Sequence, residues 1–346
     1  MSAIALIGDH SIGSSDSPVY VIAEAGVNHN GDAAIAHQLI DTAARAGADA
    51  VKFQTFDAAQ VVAATGRTTP YQQRAGASDS QLDLLRTLML PTSVWIELKH
   101  HADECGLTFL STPFDPASAE LLATLGVAAI KIGSGELTNI PFLAAVARLG
   151  LPMLLSTGMA ELDEVDRALQ ATAPAPWQAL FHCVSAYPAP VDQANLRAIT
   201  TMRDAFGVPV GWSDHTIGSQ TTIAAVTLGA AMIEKHFTLD RAMPGPDHAA
   251  SMEPGELDDF VATIRSVTAA LGTGRKHRAP IEQENATLVR RSWHLRKPVA
   301  AGEPITAEAV VPLRPETGLP PWVDPVGRRA ARDLAPGDPL RAEDLT

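Results

Sequence analysis

The sequence predicts a (β/α)8, or TIM, barrel followed by a small β-rich module, and three observations carry that reading. Between residues 19 and 272, eight short β-rich apolar runs alternate with helical patterns, as parallel βα units do. Eight such units over about 250 residues is the size of a closed parallel barrel. Outside that alternation, residues 297–310 recur at 332–345, offset by 35 residues, which marks a separate duplicated unit.

The eight runs are 19–26 (VYVIAEAG), 49–56 (DAVKFQTF), 108–114 (TFLSTPF), 128–136 (AAIKIGSGE), 152–158 (PMLLSTG), 178–185 (QALFHCVS), 209–216 (PVGWSDHT) and 231–238 (AMIEKHFT). Helical spacing fills segments such as 33–46, 93–105, 116–125, 141–149, 195–206, 219–229 and 254–271, many ending in a glycine suited to a C-cap. An open doubly wound sheet would want a glycine-rich dinucleotide turn after the first strand. Ala25-Gly26-Val27-Asn28-His29-Asn30-Gly31 is not that fingerprint. The insertion at 57–90, with Tyr71, Gln72, Gln73 and a helix-like 80–90, falls on the side where barrel active sites lie and reads as a loop over the mouth.

Residues 275–287 turn charged and polar, which sets the expected organisation: barrel 1–274, linker 275–287, small module 288–346. The module aligns Lys297–Val310 with Arg332–Leu345, each copy turning at Gly-Glu-Pro or Gly-Asp-Pro before a short helix start at Thr306 or Arg341. Two copies are too few for a solenoid, so a compact pseudo-twofold β module is expected.

Of the 346 residues 46% are hydrophobic and 19% charged, with a mean hydropathy of +0.06, which fits a globular chain and excludes disordered or collagen-like classes. The formal charge of −13, with no basic run, argues against nucleic-acid or anionic-membrane partners. No apolar stretch approaches a membrane span, and Gly8-Asp9 interrupts the start too early for an export signal. Cys105 and Cys183 show no metal or redox spacing and read as reduced thiols, so the cytoplasm is the expected compartment. The charge is uneven. Residues 1–274 carry 14 basic against 29 acidic residues and 275–346 carry 12 against 10, so the tail suits docking on the acidic body.

Residues 1–274 contain four lysines, Lys52, Lys99, Lys131 and Lys235, and three of them lie inside strand-like apolar runs. A lysine there demands partners, either buried ion pairs or a bound anion; a Schiff-base lysine is the further option. Strand alternation puts Lys52 with Gln54, Ser213 with His215, and Glu234 with His236, and turns Lys235 towards the helices. The carboxyl ends of all eight strands are polar: Glu24 and Asn28, Lys52 and Gln54, Thr112, Lys131 with Ser134 and Glu136, Ser156 and Thr157, Ser185 with Tyr187, Ser213 to His215, Glu234 to His236. A shared site at the mouth explains that better than eight separate turns. His215 and His236 end neighbouring strands and suit one divalent cation, with manganese, magnesium and zinc not separable from the spacing. Ser156-Thr157-Gly158 and Gly133-Ser134-Gly135 suit cradling an anion with backbone N–H groups.

These motifs coincide with a known family. The stretches IAEAGVNHNG (22–31), GADAVKFQT (47–55), FLSTPFD (109–115), KIGSGELTN (131–139), STGMA (156–160), HCVSAYPAP (182–190), GWSDHT (211–216), IEKHFT (233–238) and MPGPDH (243–248) resemble the bacterial sialic acid synthases over nearly the whole chain. The duplicated tail resembles that family's antifreeze-like (SAF) domain, including Arg314 of Pro-Leu-Arg-Pro. The resemblance implies condensation of phosphoenolpyruvate with an open-chain N-acylated mannosamine-type sugar, giving a nine-carbon nonulosonate and phosphate through a metal-activated aldehyde and C–O cleavage. It implies that Lys52, Thr112, Lys131, Ser134, Ser156 and Ser213 hold phosphoenolpyruvate. His215 and His236 would bind the metal, manganese in the first place, with magnesium or cobalt as alternatives. Glu24, Gln54, Tyr187 and Asp247 would contact the sugar, and Arg314 would reach it from the partner subunit of a domain-swapped homodimer. Glu136 is the expected acid/base, with Glu24 the second carboxyl. Gly133 stands where proline is common, and Ser185 replaces an asparagine of some N-acetylneuraminate synthases, which leaves the sugar open. N-acetylneuraminate is the first product expected and N,N'-diacetyllegionaminate the second, with pseudaminate behind them. The competing readings are a lysine-dependent aldolase using Lys131 or Lys52, and an ice- or ligand-binding tail on an inactive barrel.

Overall fold

The structure, a computed structural model, describes residues 5–14, 17–69, 73 and 79–346. Tyr71 and Gln72 of the expected mouth loop lie outside the described residues. The chain divides into two compact units, the first ending at Thr273 and the second beginning at Gly274.

In the first unit a two-stranded hairpin, β1 (Ala5–Ile7) and β2 (His10–Ile12), precedes eight parallel strands. These are β3 (Tyr20–Gly26), β4 (Ala50–Thr55), β5 (Thr108–Pro113), β6 (Ile130–Ile132), β7 (Met153–Ser156), β8 (Gln178–Cys183), β9 (Val210–Asp214) and β10 (Met232–His236). They follow one another in chain order around a ring, with β10 paired to β3 and the ends β5 and β6 lying side by side at the seam. All eight expected runs are strands. The expected helices form too, among them Ala33–Ala46, Thr92–Glu104 and Pro254–Leu271.

The period-two alternation of each strand separates an inner from an outer face. Val21, Val51, Phe109, Ile130, Leu155 and Ile233 point outward into the core shared with the helices. Tyr20, Ile22, Ala50, Leu110, Leu154, Phe181 and Met232 point inward and fill the lower barrel, where Ala5, Ile7 and Ile12 of the hairpin join them. An apolar, plugged lower half leaves the inward positions one step further along each strand as the floor of the mouth. Those positions are Glu24, Lys52, Thr112, Lys131, Ser156, Cys183, Ser213 and Glu234. The hairpin, which turns at Gly8-Asp9, and the helix Leu162–Ala171 were not among the expected elements.

The second unit pairs β11 (Ser292–Leu295) with β12 (Val310–Leu313) antiparallel. Its duplication is structural as well as sequential. Val299 and Leu334, equivalent positions of the two copies, donate N–H groups to each other's carbonyls at 3.1 and 2.9 Å. The turn carboxylates repeat as well: Ala300 N–H donates to Glu303 and Ala335 N–H to Asp338, at 3.0 and 3.1 Å. Ile305 and Leu340, then Val310 and Leu345, bury the same two sites twice in one small core, which is the expected pseudo-twofold module.

Candidate active site

A cavity of about 360 Å³ opens at the carboxyl ends of the strands. It is lined by every site residue expected from the sequence except Glu136 and Arg314. The insertion contributes Val61, Thr69, Gln81 and Leu85 to its wall, so it forms part of the mouth as expected.

The floor is an ion quartet. Lys52 Nζ lies 2.7 Å from Glu24 Oε2 and 3.7 Å from Glu234 Oε2, and donates to Thr112 Oγ1 at 3.1 Å. Lys131 Nζ lies 3.1 Å from both carboxylate oxygens of Glu234. Ser213 Oγ donates to Glu234 at 3.0 Å, and Gln54 Nε2 to Glu24 Oε1 at 3.1 Å. All four ions are at most 3% exposed. Ammonium groups buried this deeply need counter-charges, and here two carboxylates supply them. Glu234, which the sequence reading placed at the strand end without a role, is the centre of the quartet. Both lysines are thus paired with carboxylates while still lining the cavity.

Electrostatics divides the two carboxyls. Burial raises the pKa of both, but the flanking Lys131 and Lys52 overcome it at Glu234 and hold that group well below the usual carboxylate range. At Glu24 burial wins over Lys52, assisted by the Glu234 charge, and pushes the carboxyl up towards neutrality. Burial pulls Lys131 down, whereas the two glutamates outweigh burial at Lys52 and push it up. A pair of acids driven apart in this way provides one fixed charge and one proton carrier.

Above the quartet stand His215, His236, Tyr187 and Asp247. The imidazole centroids are 5.6 Å apart, and the Tyr187 ring lies 4.2 Å from that of His215. His215 Nδ1 is 2.7 Å from the Val184 carbonyl, so it carries the proton and Nε2 keeps its lone pair, 3.3 Å from Ser213 Oγ. His236 Nδ1 is buried without a hydrogen-bond partner among the described residues and lies 3.9 Å from Asp247 Oδ2. Burial holds both rings neutral at pH 7, His215 down to about 4 and His236 well below its ordinary value. Two neutral imidazoles, one fixed by a carbonyl and one with an orphaned nitrogen, fit a divalent cation. Burial also pushes Asp247 up to about 6, a carboxyl whose ionised form a cation would stabilise.

That last shift has a measurable sign. A native pKa above the ordinary 3.8 means that ionising Asp247 costs stability progressively as pH rises from that value to about 6. We expect metal-free Asp247→Asn to exceed metal-free wild type in stability by on the order of 2–3 kcal/mol at pH 7.5, with the gap closing near pH 4. Denaturant titrations in chelator at the two pH values measure it; equal stabilities at pH 7.5 would contradict the burial account.

Along the strands β6 to β8, Gly158 N–H donates to Ser134 Oγ at 3.0 Å, and Ser134 Oγ lies 3.1 Å from Cys183 Sγ. A Cβ at Gly158 would stand 2.8 Å from Ser134 Oγ and 2.9 Å from Cys183 Sγ and would clash with Ser185, so this approach needs glycine. Lys235, as alternation required, faces the helices and pairs with Asp214 at 3.2 Å. The structure does not bring Glu136 into the cavity lining. It sits in the turn Ser134–Glu136 after the short β6, where its carboxylate accepts from Asn139 Nδ2 at 2.7 Å. Arg314 is exposed in the second unit.

Fold and mouth together define a (β/α)8 enzyme whose buried ionisable groups converge at the carboxyl ends of the strands. The chain belongs to the NeuB family, which matches residues 39–276, and it carries a SAF domain at residues 290–346. Among its relatives is the N,N'-diacetyllegionaminic acid synthase of Campylobacter jejuni, 45% identical over 304 residues that cover 86% of this chain and 91% of that protein. The N,N'-diacetyllegionaminic acid synthase of Legionella pneumophila is 42% identical over 340 residues, 96% of each chain. Among solved structures, the N-acetylneuraminic acid synthetase of Leptospira borgpetersenii in complex with citrate aligns with a TM-score of 0.72 and 35% identity, over 82% of this chain and 95% of that one. No described helix is long and apolar enough to cross a membrane.

Proposed function

We propose that this protein condenses phosphoenolpyruvate with an open-chain N-acylated mannosamine-type sugar, forming a nonulosonate and inorganic phosphate. The observation that carries this reading is the convergence of two lysines, two neutral histidines and a split carboxyl pair in one mouth, in a chain so similar to nonulosonate synthases.

The methylene carbon of phosphoenolpyruvate forms a C–C bond to the sugar aldehyde, water adds at the former enol carbon, and the C–O bond to phosphate breaks. A divalent cation held by His215 and His236, manganese in the first place, supplies Lewis acidity at an oxygen. Lys52, Lys131, Thr112, Ser134, Ser156 and Ser213 hold the phosphoenol group, with the Gly158 approach giving it room. Glu234 keeps both ammonium groups charged and aimed, and the proton that moves belongs to Glu24, the carboxyl that burial and its neighbour keep near neutrality. Glu24 takes that role from Glu136 because it alone of the two lines the cavity. Gln54, Tyr187, Ser185 and Asp247 contact the sugar.

N-acetylmannosamine and its diacetamido counterpart both suit this site, and relatives at 42–45% identity that make N,N'-diacetyllegionaminic acid favour the second. Incubation with phosphoenolpyruvate, Mn2+ and each sugar, followed by product mass, decides between them. Absence of a nine-carbon product with every mannosamine-type sugar would remove the proposal.

The reading includes a homodimer in which each SAF domain lends Arg314 to the partner's mouth, and a cytoplasmic setting consistent with two free cysteines. Arg314→Ala and His236→Ala subunits are each expected to be nearly inactive, yet co-expressed heterodimers should regain one working mouth per dimer. Heterodimers as inactive as the parents would place Arg314 in its own chain's site or in none.

A further inference from the structure

A cluster of metal-ligating side chains lies outside the barrel, on two helices packed side by side. His37 and Asp41 are four residues apart on helix Ala33–Ala46, and His101 and Cys105 are four apart at the end of helix Thr92–Glu104. That spacing puts both members of each pair on one helical face, and the two faces meet. His101 Nε2 lies 2.8 Å from Asp41 Oδ1, and Cys105 Sγ lies 3.8 Å from each of those atoms. The His37 ring centroid is 4.7 Å from that of His101. Among the described residues, Asp41, His101 and Cys105 are the group whose nitrogen, sulfur and oxygen ligand atoms all fall within 4.8 Å of one another.

Tetrahedral zinc separates a nitrogen and an oxygen ligand by about 3.3 Å, and a sulfur from either by about 3.5 Å. The observed distances bracket those values, so shifts of a few tenths of an ångström in half-exposed side chains seat an ion. We propose that Asp41, His101 and Cys105, with His37 as the fourth ligand, form a site for Zn2+ or a similar thiophilic divalent cation. It ties these two helices together and is separate from the mouth of the barrel. The donor set selects the metal: thiolate with imidazole favours zinc or cobalt over magnesium and manganese. The reading of Cys105 as a thiol without metal spacing overlooked His101, four residues before it on the same helix, and Asp41, which comes from the second helix.

Cobalt is the probe, since a thiolate ligand gives it a charge-transfer band that imidazole and carboxylate do not. Full-length protein titrated anaerobically with Co2+ is expected to develop that band with one equivalent of thiolate-bound metal and to lose it on adding Zn2+. The band should survive Cys183→Ser, disappear in Cys105→Ser, and need at least about tenfold more cobalt in His101→Ala; thermal unfolding of each variant verifies the fold. No thiolate band in wild type would overturn the site, leaving a surface ion pair between His101 and Asp41. A band that persists in Cys105→Ser, that vanishes in Cys183→Ser instead, or that keeps full affinity in His101→Ala would overturn it equally.

Discussion

His236→Ala, like His215→Ala, is expected to lower turnover by roughly three orders of magnitude or more, the worth of several kcal/mol of electrophilic stabilisation. Far-ultraviolet circular dichroism should not change. The loss is chemical because of where the rings stand: His236 ends β10 above the apolar lower barrel, and its Nδ1 has no hydrogen-bond partner among the described residues. Removing it opens space beside Tyr187 and Asp247 that water can fill, without stripping a hydrogen bond from the fold. Mn2+ affinity, read by titration, should fall with turnover. A variant that keeps full turnover would remove the imidazoles from the mechanism. Chelation of the wild type is less selective, because it also strips the proposed cysteine-containing site, so chelator data belong beside Cys105→Ser.

The second large effect is on stability. Lys131→Met deprives Glu234 of its closest ammonium and leaves Lys52, at 3.7 Å, shared with Glu24. Breaking a buried pair from one side costs about 3–5 kcal/mol. The pH dependence fixes the sign. In the native protein Glu234 titrates below its ordinary 4.5, so it contributes stability that is present above that pH and lost as pH falls towards about 2. In Lys131→Met burial dominates and the carboxyl titrates higher, so the variant loses stability as pH rises from 5 to 8. Adding Glu234→Gln removes the uncompensated charge, and the double variant should recover most of the loss while staying inactive. A double variant no more stable than Lys131→Met would mean that the quartet is not what holds the floor together.

The barrel was legible because each strand carries its own period and the scarce lysines stand out inside apolar runs. Alternation placed Lys52, Gln54, Ser213, His215, Glu234 and His236 inward and Lys235 outward, as the structure has them. Partnership was harder to read. That Lys52 and Lys131 need counter-charges follows from burial, but which carboxylates supply them depends on strand register across the ring, where Glu24 sits beside Lys52 and Glu234 beside Ser213. The same gap hid the cluster of Asp41, His101 and Cys105: His101 and Cys105 share one helical face, but Asp41 joins them only because two helices pack. Glu136 stands outside the cavity lining for a local reason. β6 ends at Ile132, and the turn that follows spends the glutamate on Asn139 instead of continuing the inward alternation. The hairpin at 5–12 carried a signal in Gly8-Asp9 after the apolar Ala5–Ile7, but its second strand, His10–Ile12, is short and mostly polar and could not weigh against the eight longer runs.

The reaction at the mouth is tested most directly by the fate of one atom, the oxygen bridging carbon and phosphorus in phosphoenolpyruvate. With that oxygen isotopically labelled, with Mn2+ and the accepted sugar, the label should leave entirely in inorganic phosphate. No pyruvate adduct should be trapped on Lys52 or Lys131 by borohydride. Label retained in the sugar product, or a borohydride-stable adduct on either lysine, would contradict the account and leave a lysine-dependent aldolase in its place.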